Sequence, residues 1–319
     1  MYMNRRQMIK LSGLAALSLQ SCATSENRFK LSLAEYSLHR QLYAFNPSAN
    51  RYNIKPAKEK LDHLDFPAKA RELGIGAVEY VNFFFPGMNF TDAYLKELNK
   101  RAADQGVTNV LIMVGREGML GDPDKKERLK AIENHKKWIH AAAALGCHCI
   151  RVDAKGKGDA GEQIKNIGDS LHTIAGYAEK FSLGITVENH GGLSSNGQWL
   201  VECIKAGNHS GLGTLPDFGN FYDDEKKKFF DPYAGTQVLL PYAKALSAKS
   251  YETVKGSENV MVHPEKGYKI DFKRLMKMTI ESNYRGYIGI EYEGGDGMTE
   301  PEGILMTKRL IEKYIAEFS

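Results

Sequence analysis

Residues 184–192 read GITVENHGG, an alternating run in which Ile185 and Val187 take one face, Thr186 and Glu188 the other, before a glycine turn. Two further runs end the same way. TLPDFGN at 214–220 carries Asp217, and YIGIEYEGG at 287–295 carries Glu291 beyond Ile288 and Ile290. Three acids at the ends of three strands become one site if the strands form a closed parallel barrel, where reactive groups cluster at the strand ends. Carboxylates brought together repel unless a cation lies between them. The pattern therefore predicts an enzyme with a metal, or a lysine, at the centre of its pocket.

Working outward, the chain counts out eight strand–helix units. The predicted strands are 30–38 (KLSLAEYSL), 77–82 (AVEYVN), 108–115 (TNVLIMVG), 149–154 (CIRVDA), 185–189, about 212–217, 246–252 (LSAKSYE) and 287–293. Helices are predicted over about 61–73, after Thr91, through Trp138 to Leu145, over 162–181, 198–206, through 237–242, over 271–282 and over 302–318, with Thr91 and Asp271 as caps and glycines 74, 106 and 146 as stops. Strict alternation implies a parallel sheet, eight units imply closure, and the fold class is α/β, a single (β/α)8 TIM barrel. No GxGxxG loop opens any helix, which argues against an open dinucleotide-binding sheet. The 40–60 stretch and the charged 218–232 stretch are expected to be exposed loops, lids or subunit contacts.

Strand parity then selects the inward residues. Arg151 and Asp153 on the fourth strand, Thr186 and Glu188 on the fifth, Ser247, Lys249 and Tyr251 on the seventh, and Gly289 and Glu291 on the eighth share the pocket side. Polar groups there point to chemistry, since buried charges persist only when paired or metal-bound. The plainer alternatives are that Glu188 and Glu291 form ion pairs with Arg151 and Lys249, that Asp217 caps the turn at Gly219, and that Arg151 balances Asp153. Tyr251 and His263 are taken as loop residues, and the other histidines of the barrel except His190 receive no role.

VENHGG, LPDFGN, SAKSYE and IGIEYEGG, in this order and on these strands, resemble the xylose-isomerase-like barrels, which include sugar isomerases, ketose epimerases, hydroxypyruvate isomerase and endonuclease IV. The resemblance covers about residues 30–318. It implies a divalent metal, Mn or Zn first and Mg or Co next, held by Glu188, Asp217 and Glu291. The family's strand-seven His is Ser247 here, and its Asp-x-x-His is Asp217-Phe218-Gly219-Asn220. Serine is a weaker ligand than imidazole, so either three carboxylates and water hold the metal or the ammonium of Lys249 replaces it. The resemblance further implies proton abstraction beside a carbonyl through an enediolate, with Glu188 and Glu291 as base and acid and the metal or Lys249 as the electrophile. His190, Asn220, Arg151 and Ser247 would contact the sugar. Epimerisation, isomerisation and β-elimination of a 3-keto-glycoside all follow from that chemistry. A non-catalytic carbohydrate-binding barrel and a DNA-repair nuclease are the other classes, the nuclease weakened by the missing histidines.

The N-terminal residues MYMNRRQMIKLSGLAALSLQSC form an expected export signal over 1–21. The pair Arg5-Arg6 resembles a twin-arginine signal, and Leu19–Cys22 a lipoprotein box with a lipid anchor at Cys22. The run is too short to span a bilayer. Export would place the protein in the periplasm or on a membrane by its lipid, away from sugar phosphates, so an unphosphorylated sugar is expected. The formal charge of +4 would drop to about +1 without the signal, which is no nucleic-acid footprint. Of the four cysteines, Cys147, Cys149 and Cys203 stay with the barrel and are expected to pack rather than bridge; alternation sends His148 away from its two neighbours.

Overall fold

In the computed structural model, residues 28–254, 257, 259–295 and 297–319 are described. The predicted signal and the lipid attachment at Cys22 lie outside them. Eight strands form one sheet: β1 (Phe29–Ala34), β2 (Ala77–Val81), β3 (Thr108–Val114), β4 (Cys149–Asp153), β5 (Gly184–Glu188), β6 (Leu212–Leu215), β7 (Leu246–Ser250) and β8 (Gly286–Tyr292). All neighbours are parallel, in the order β6-β5-β4-β3-β2-β1-β8-β7. Parallel bridges from Thr214 to Ala243 and from Asp217 to Ser247 join the two ends. The sheet is thus the TIM barrel that alternation predicts.

Each strand leads to a helix: α1 (Phe66–Glu72), α2 (Asp92–Asp104), α3 (Lys125–Leu145), α4 (Ala160–Ala178), α5 (Gly197–Gly207), α6 (Pro232–Leu239), α7 (Phe272–Glu281) and α8 (Glu300–Phe318). Except at α1, their starts are set by short polar side chains that take up orphan backbone N–H groups. Thr91 accepts from Tyr94 N, Asp271 from Arg274 N, and Thr299 forms a reciprocal capping box with Glu302. At the other end of α3, Gly146 adopts φ +73°, a left-handed cap that glycine takes without a Cβ penalty.

Outward strand residues bury against this helical ring. Ile150, Val152, Ile185, Val187, Ile288 and Ile290 are all fully buried, as is Trp138 of α3, whose indole N–H donates to Glu117 at 2.6 Å. Inside the barrel Ser32 donates to Glu79 at 2.5 Å, and a Cβ on Gly289 would sit 2.8 Å from the same Glu79 oxygen. Gly289 is therefore the space into which Glu79 reaches, below the carboxylates of the rim. Cys147, Cys149 and Cys203 are buried free thiols, and His148 contacts Lys244 O instead of joining them.

The long β-to-α connections differ from the expected loops. The first predicted strand stops at Ala34, and 35–38 turns into a 3-10 helix followed by a short helix, His39–Phe45. The 218–232 stretch is no simple exposed loop: Phe221, Tyr222 and Asp223 are buried, and Tyr222–Asp223 pairs with Lys228–Phe229 in a small ribbon. A second ribbon, Asn259–His263 with Tyr268–Asp271, was not foreseen at all. Both fold at the end of the barrel where the β-strands finish.

Candidate active site

Glu188, at the end of β5, is almost wholly buried. The Arg151 guanidinium, on the neighbouring β4, donates Nε and Nη2 to its Oε2, while Asn220 Nδ2 donates to Oε1 at 2.8 Å. The ion pair weighed for Glu188 is thus present. Asp217 divides its two oxygens between two tasks. Oδ1 accepts from the backbone of Gly219 at 2.7 Å and Asn220 at 2.8 Å, which is the turn cap. Oδ2 is buried and has no partner among the described residues. Asn189 fixes this corner by accepting from Asp217 N at 2.8 Å and donating to Asp217 O at 2.9 Å.

Glu291 comes in from β8. Ser247, opposite Gly289 in the β7–β8 register, donates its single hydroxyl proton to Glu291 Oε2 at 2.6 Å. One oxygen each of Glu188, Asp217 and Glu291 lies within 4.8 Å of the others, and all three residues are buried. Burial pushes the carboxyls of Asp217 and Glu291 up; the Lys249 ammonium draws both down, and Glu188 raises both again. Three buried acids with one oxygen unsatisfied fit a divalent cation, and the donor set is all oxygen.

Lys249 is not paired with Glu291 as the sequence reading allowed. Its ammonium bonds Glu293 Oε1 at 2.6 Å, and the Tyr251 hydroxyl donates to Glu293 Oε2 at 2.7 Å. Burial alone would raise Glu293, but the charge and hydrogen bond of Lys249, with the Tyr251 bond, outweigh it and hold the carboxyl at about 2. On the opposite side Asp153 gathers Arg151 Nη1 at 3.1 Å, His190 Nδ1 at 3.0 Å and Lys155 at 2.9 Å. The Arg151 guanidinium above all, with the His190 hydrogen bond and the Lys155 ammonium, outweighs burial and keeps Asp153 well below the usual carboxylate range.

These groups surround one cavity of about 310 Å³, with an apolar and aromatic wall that includes Tyr36, Phe83 and Met113. Of the residues singled out from sequence, Arg151, His190, Asn220, Lys249 and Glu291 line it; Glu188, Asp217 and Ser247 lie directly behind, bonded to or clustered with those lining groups. Tyr251 and His263, set aside as loop residues, line it too, as do Glu293 and Arg116. Parity already puts Tyr251 on the pocket side, although the sequence also reads it as a loop residue, and the same parity extended two residues beyond Glu291 reaches Glu293. No periodicity points to His263, because a second ribbon brings it in.

The family model of the xylose isomerase-like TIM barrel matches residues 67–313. Among solved structures, the IOLI protein with a zinc atom aligns with a TM-score of 0.68 at 14% identity, covering 91% of this chain and 99% of that one. D-psicose 3-epimerase with D-tagatose from Clostridium cellulolyticum H10 gives 0.63 at 15%, covering 90% and 97%. A xylose isomerase-like TIM barrel protein from Mycobacterium smegmatis in complex with magnesium gives 0.61 at 16%, covering 80% and 89%. No curated protein matches in sequence. At such identities the structural likeness speaks for the fold, and the family match spans most of the barrel: the chain belongs to the xylose isomerase-like TIM barrel family.

Proposed function

We propose that the protein is a sugar isomerase or epimerase that removes a proton beside the carbonyl of an unphosphorylated sugar. The observation that carries this reading is the convergence of Glu188, Asp217 and Glu291 within 4.8 Å at the rim of the barrel, with Asp217 Oδ2 buried and unpartnered. Solved relatives of this fold carry magnesium, zinc or a ketose, as described above. A divalent cation held by these three carboxylates would polarise the carbonyl and stabilise the developing enediolate. Ser247 orients Glu291 through its hydroxyl rather than serving as a fourth ligand.

The chain's own groups supply the rest. Glu188 and Glu291 exchange the carbon-bound proton, one as base and the other as acid. Arg151 and Asn220 fix the carboxylate of Glu188 by occupying both its oxygens. Lys249, on the same side as Glu291, adds positive charge where negative charge builds up on the substrate oxygen. His190 and Asn220 face the cavity with groups suited to sugar hydroxyls. Aromatic faces at Tyr36 and Phe83 give the ring an apolar wall.

A second reading is β-elimination on a 3-keto-glycoside, favoured by the mouth of the cavity. There the Arg116 guanidinium lies 4.1 Å from the Phe83 ring centroid and 5.3 Å from that of Tyr52. These flat groups offer a face to a leaving ring. The base would take the proton beside the ketone, the bond to the leaving oxygen would break, and the acid would protonate that oxygen. Export through the N-terminal signal belongs to the same proposal, since it would separate the enzyme from sugar phosphates.

The test begins with elemental analysis of the folded protein and its Glu188→Ala and Asp217→Ala variants. About one equivalent of a divalent metal in the parent, lost in both variants, is expected. A panel of free ketoses and 3-keto-glycosides is then incubated with the metal-loaded protein. Tight binding with recovery of unchanged sugar would replace catalysis by a carbohydrate-binding role.

A further inference from the structure

The ribbon that follows β7 does more than cover the barrel. Val260, Val262 and Ile270 are fully buried. Backbone bonds from Tyr251 N to Met261 O at 2.9 Å and from Met261 N to Glu252 O at 2.7 Å tie it to the end of β7. Tyr268 stacks on Phe229 with centroids 3.8 Å apart, and Tyr222 closes on Phe229 at 4.5 Å, so the two ribbons brace each other. His263 ends the first strand of this ribbon, and its ring is set against Tyr222 and into the cavity that holds Lys249, Asn220 and Glu291.

The two ring nitrogens of His263 stand in different surroundings. Nδ1 lies 3.4 Å from Glu265 Oε1, a carboxylate that can only accept, which favours the tautomer with its proton on Nδ1. Nε2 is then a lone-pair acceptor. It is shut off from solvent and has no partner among the described residues. Burial lowers the basicity of the ring, and the nearby Lys249 ammonium lowers it further against the pull of Glu265. A buried acceptor without a donor is costly, and such an atom in a native cavity calls for an explanation. The neighbouring donor, Lys249, is already engaged with Glu293.

We infer that His263 is a substrate-contacting residue whose Nε2 accepts a hydrogen bond from a hydroxyl of the sugar, with Glu265 as the positioning residue that fixes the tautomer. This rests on the proposed sugar site and sharpens it. The atom asks for an O–H donor. A hydroxyl at that place satisfies it, whereas a dianionic phosphate or a carbonyl oxygen has no proton to give. The specificity of the pocket would thus come partly from a segment outside the eight-strand frame, and from a histidine unrelated to the strand-seven place that Ser247 occupies.

The experiment uses the intact chain with Mg²⁺, labelled with ¹⁵N at the histidine rings. The His263 signals are identified by their loss in His263→Gln. In the free protein a protonated Nδ1 and an unprotonated Nε2 are expected, and Glu265→Ala should mix the two tautomers. D-fructose, D-tagatose and a 3-keto-glucoside are then added as probes. A bound probe should move the Nε2 resonance. His263→Ala should weaken binding or kcat/KM by about tenfold, and His263→Gln, whose amide oxygen can accept, should recover most of it. An Nε2–H tautomer in the free protein would overturn the inference. So would a probe bound equally well by the parent and His263→Ala, and the sugar reading would then survive. If the parent binds no probe, the sugar reading falls and the role of His263 with it.

Discussion

Glu291 and Glu293 stand two residues apart at the end of one strand, border the same cavity, and are driven in opposite directions. Glu291 shares its space with Glu188 and Asp217, and its carboxyl is raised by burial and by Glu188. Glu293 meets Lys249 and Tyr251 instead and is held at about 2. The residue type and the strand face are the same; the partners differ. The divergence comes from the partners alone: Glu291 faces other acids, whereas Glu293 faces the Lys249 ammonium and the Tyr251 hydroxyl. A third acid, Glu79, lies deeper in the barrel. Burial pushes it up to about 8, against the hydrogen bond from Ser32.

The largest break of this comparison comes from neutralising the two acids proposed as base and acid. Glu291→Gln and Glu188→Gln should each lower kcat by about 10²- to 10⁴-fold, as loss of a general acid or base does, with folding unchanged by circular dichroism. Full turnover in both variants would remove them from the chemistry.

Glu293→Gln should act on stability as well. It leaves the buried Lys249 ammonium with one partner fewer, at a cost of about 3–5 kcal/mol at pH 7, read from urea midpoints. The pH sense follows from the lowered carboxyl. Its contribution is complete above the ordinary glutamate value of 4.5 and is lost as pH falls through about 2. The gap between parent and variant should therefore close on acidification across that window. Replacing both residues, Glu293→Gln with Lys249→Met, should recover part of the loss.

A smaller effect tests the space under the site. Gly289→Ala places a Cβ 2.8 Å from Glu79 Oε1, and the crowding should destabilise by about 1–3 kcal/mol in the same assay. The smallest concerns Glu79 itself. Because its carboxyl is raised, its stabilising share is present below 4.5 and is lost as pH rises through about 8. Glu79→Gln should flatten that decline in the same assay.

The alternation of strand and helix, the caps at Thr91 and Asp271, and the inward parity of Arg151, Glu188, Lys249 and Glu291 are all legible in the chain. They follow from local rules: residue spacing, side-chain direction and capping chemistry. The same rules place Asp217 on the rim. They do not divide its two oxygens between a turn cap and a buried, unpartnered position, because both arrangements need the same carboxylate at the same point in the sequence.

What the sequence by itself determined is the barrel and the inward faces of its fourth, fifth, seventh and eighth strands, since period-two parity fixes which side chains share a face. Only the tertiary structure decided the pairing within the rim. The β7–β8 register sets Lys249 opposite Glu291, yet its ammonium reaches past that residue to pair with Glu293. The tertiary structure also decided the arrival of His263, which depends on Phe229, Tyr222 and Tyr268 packing two ribbons together across a long stretch of chain. Contacts between distant segments set electrostatic partners, and no local period encodes them.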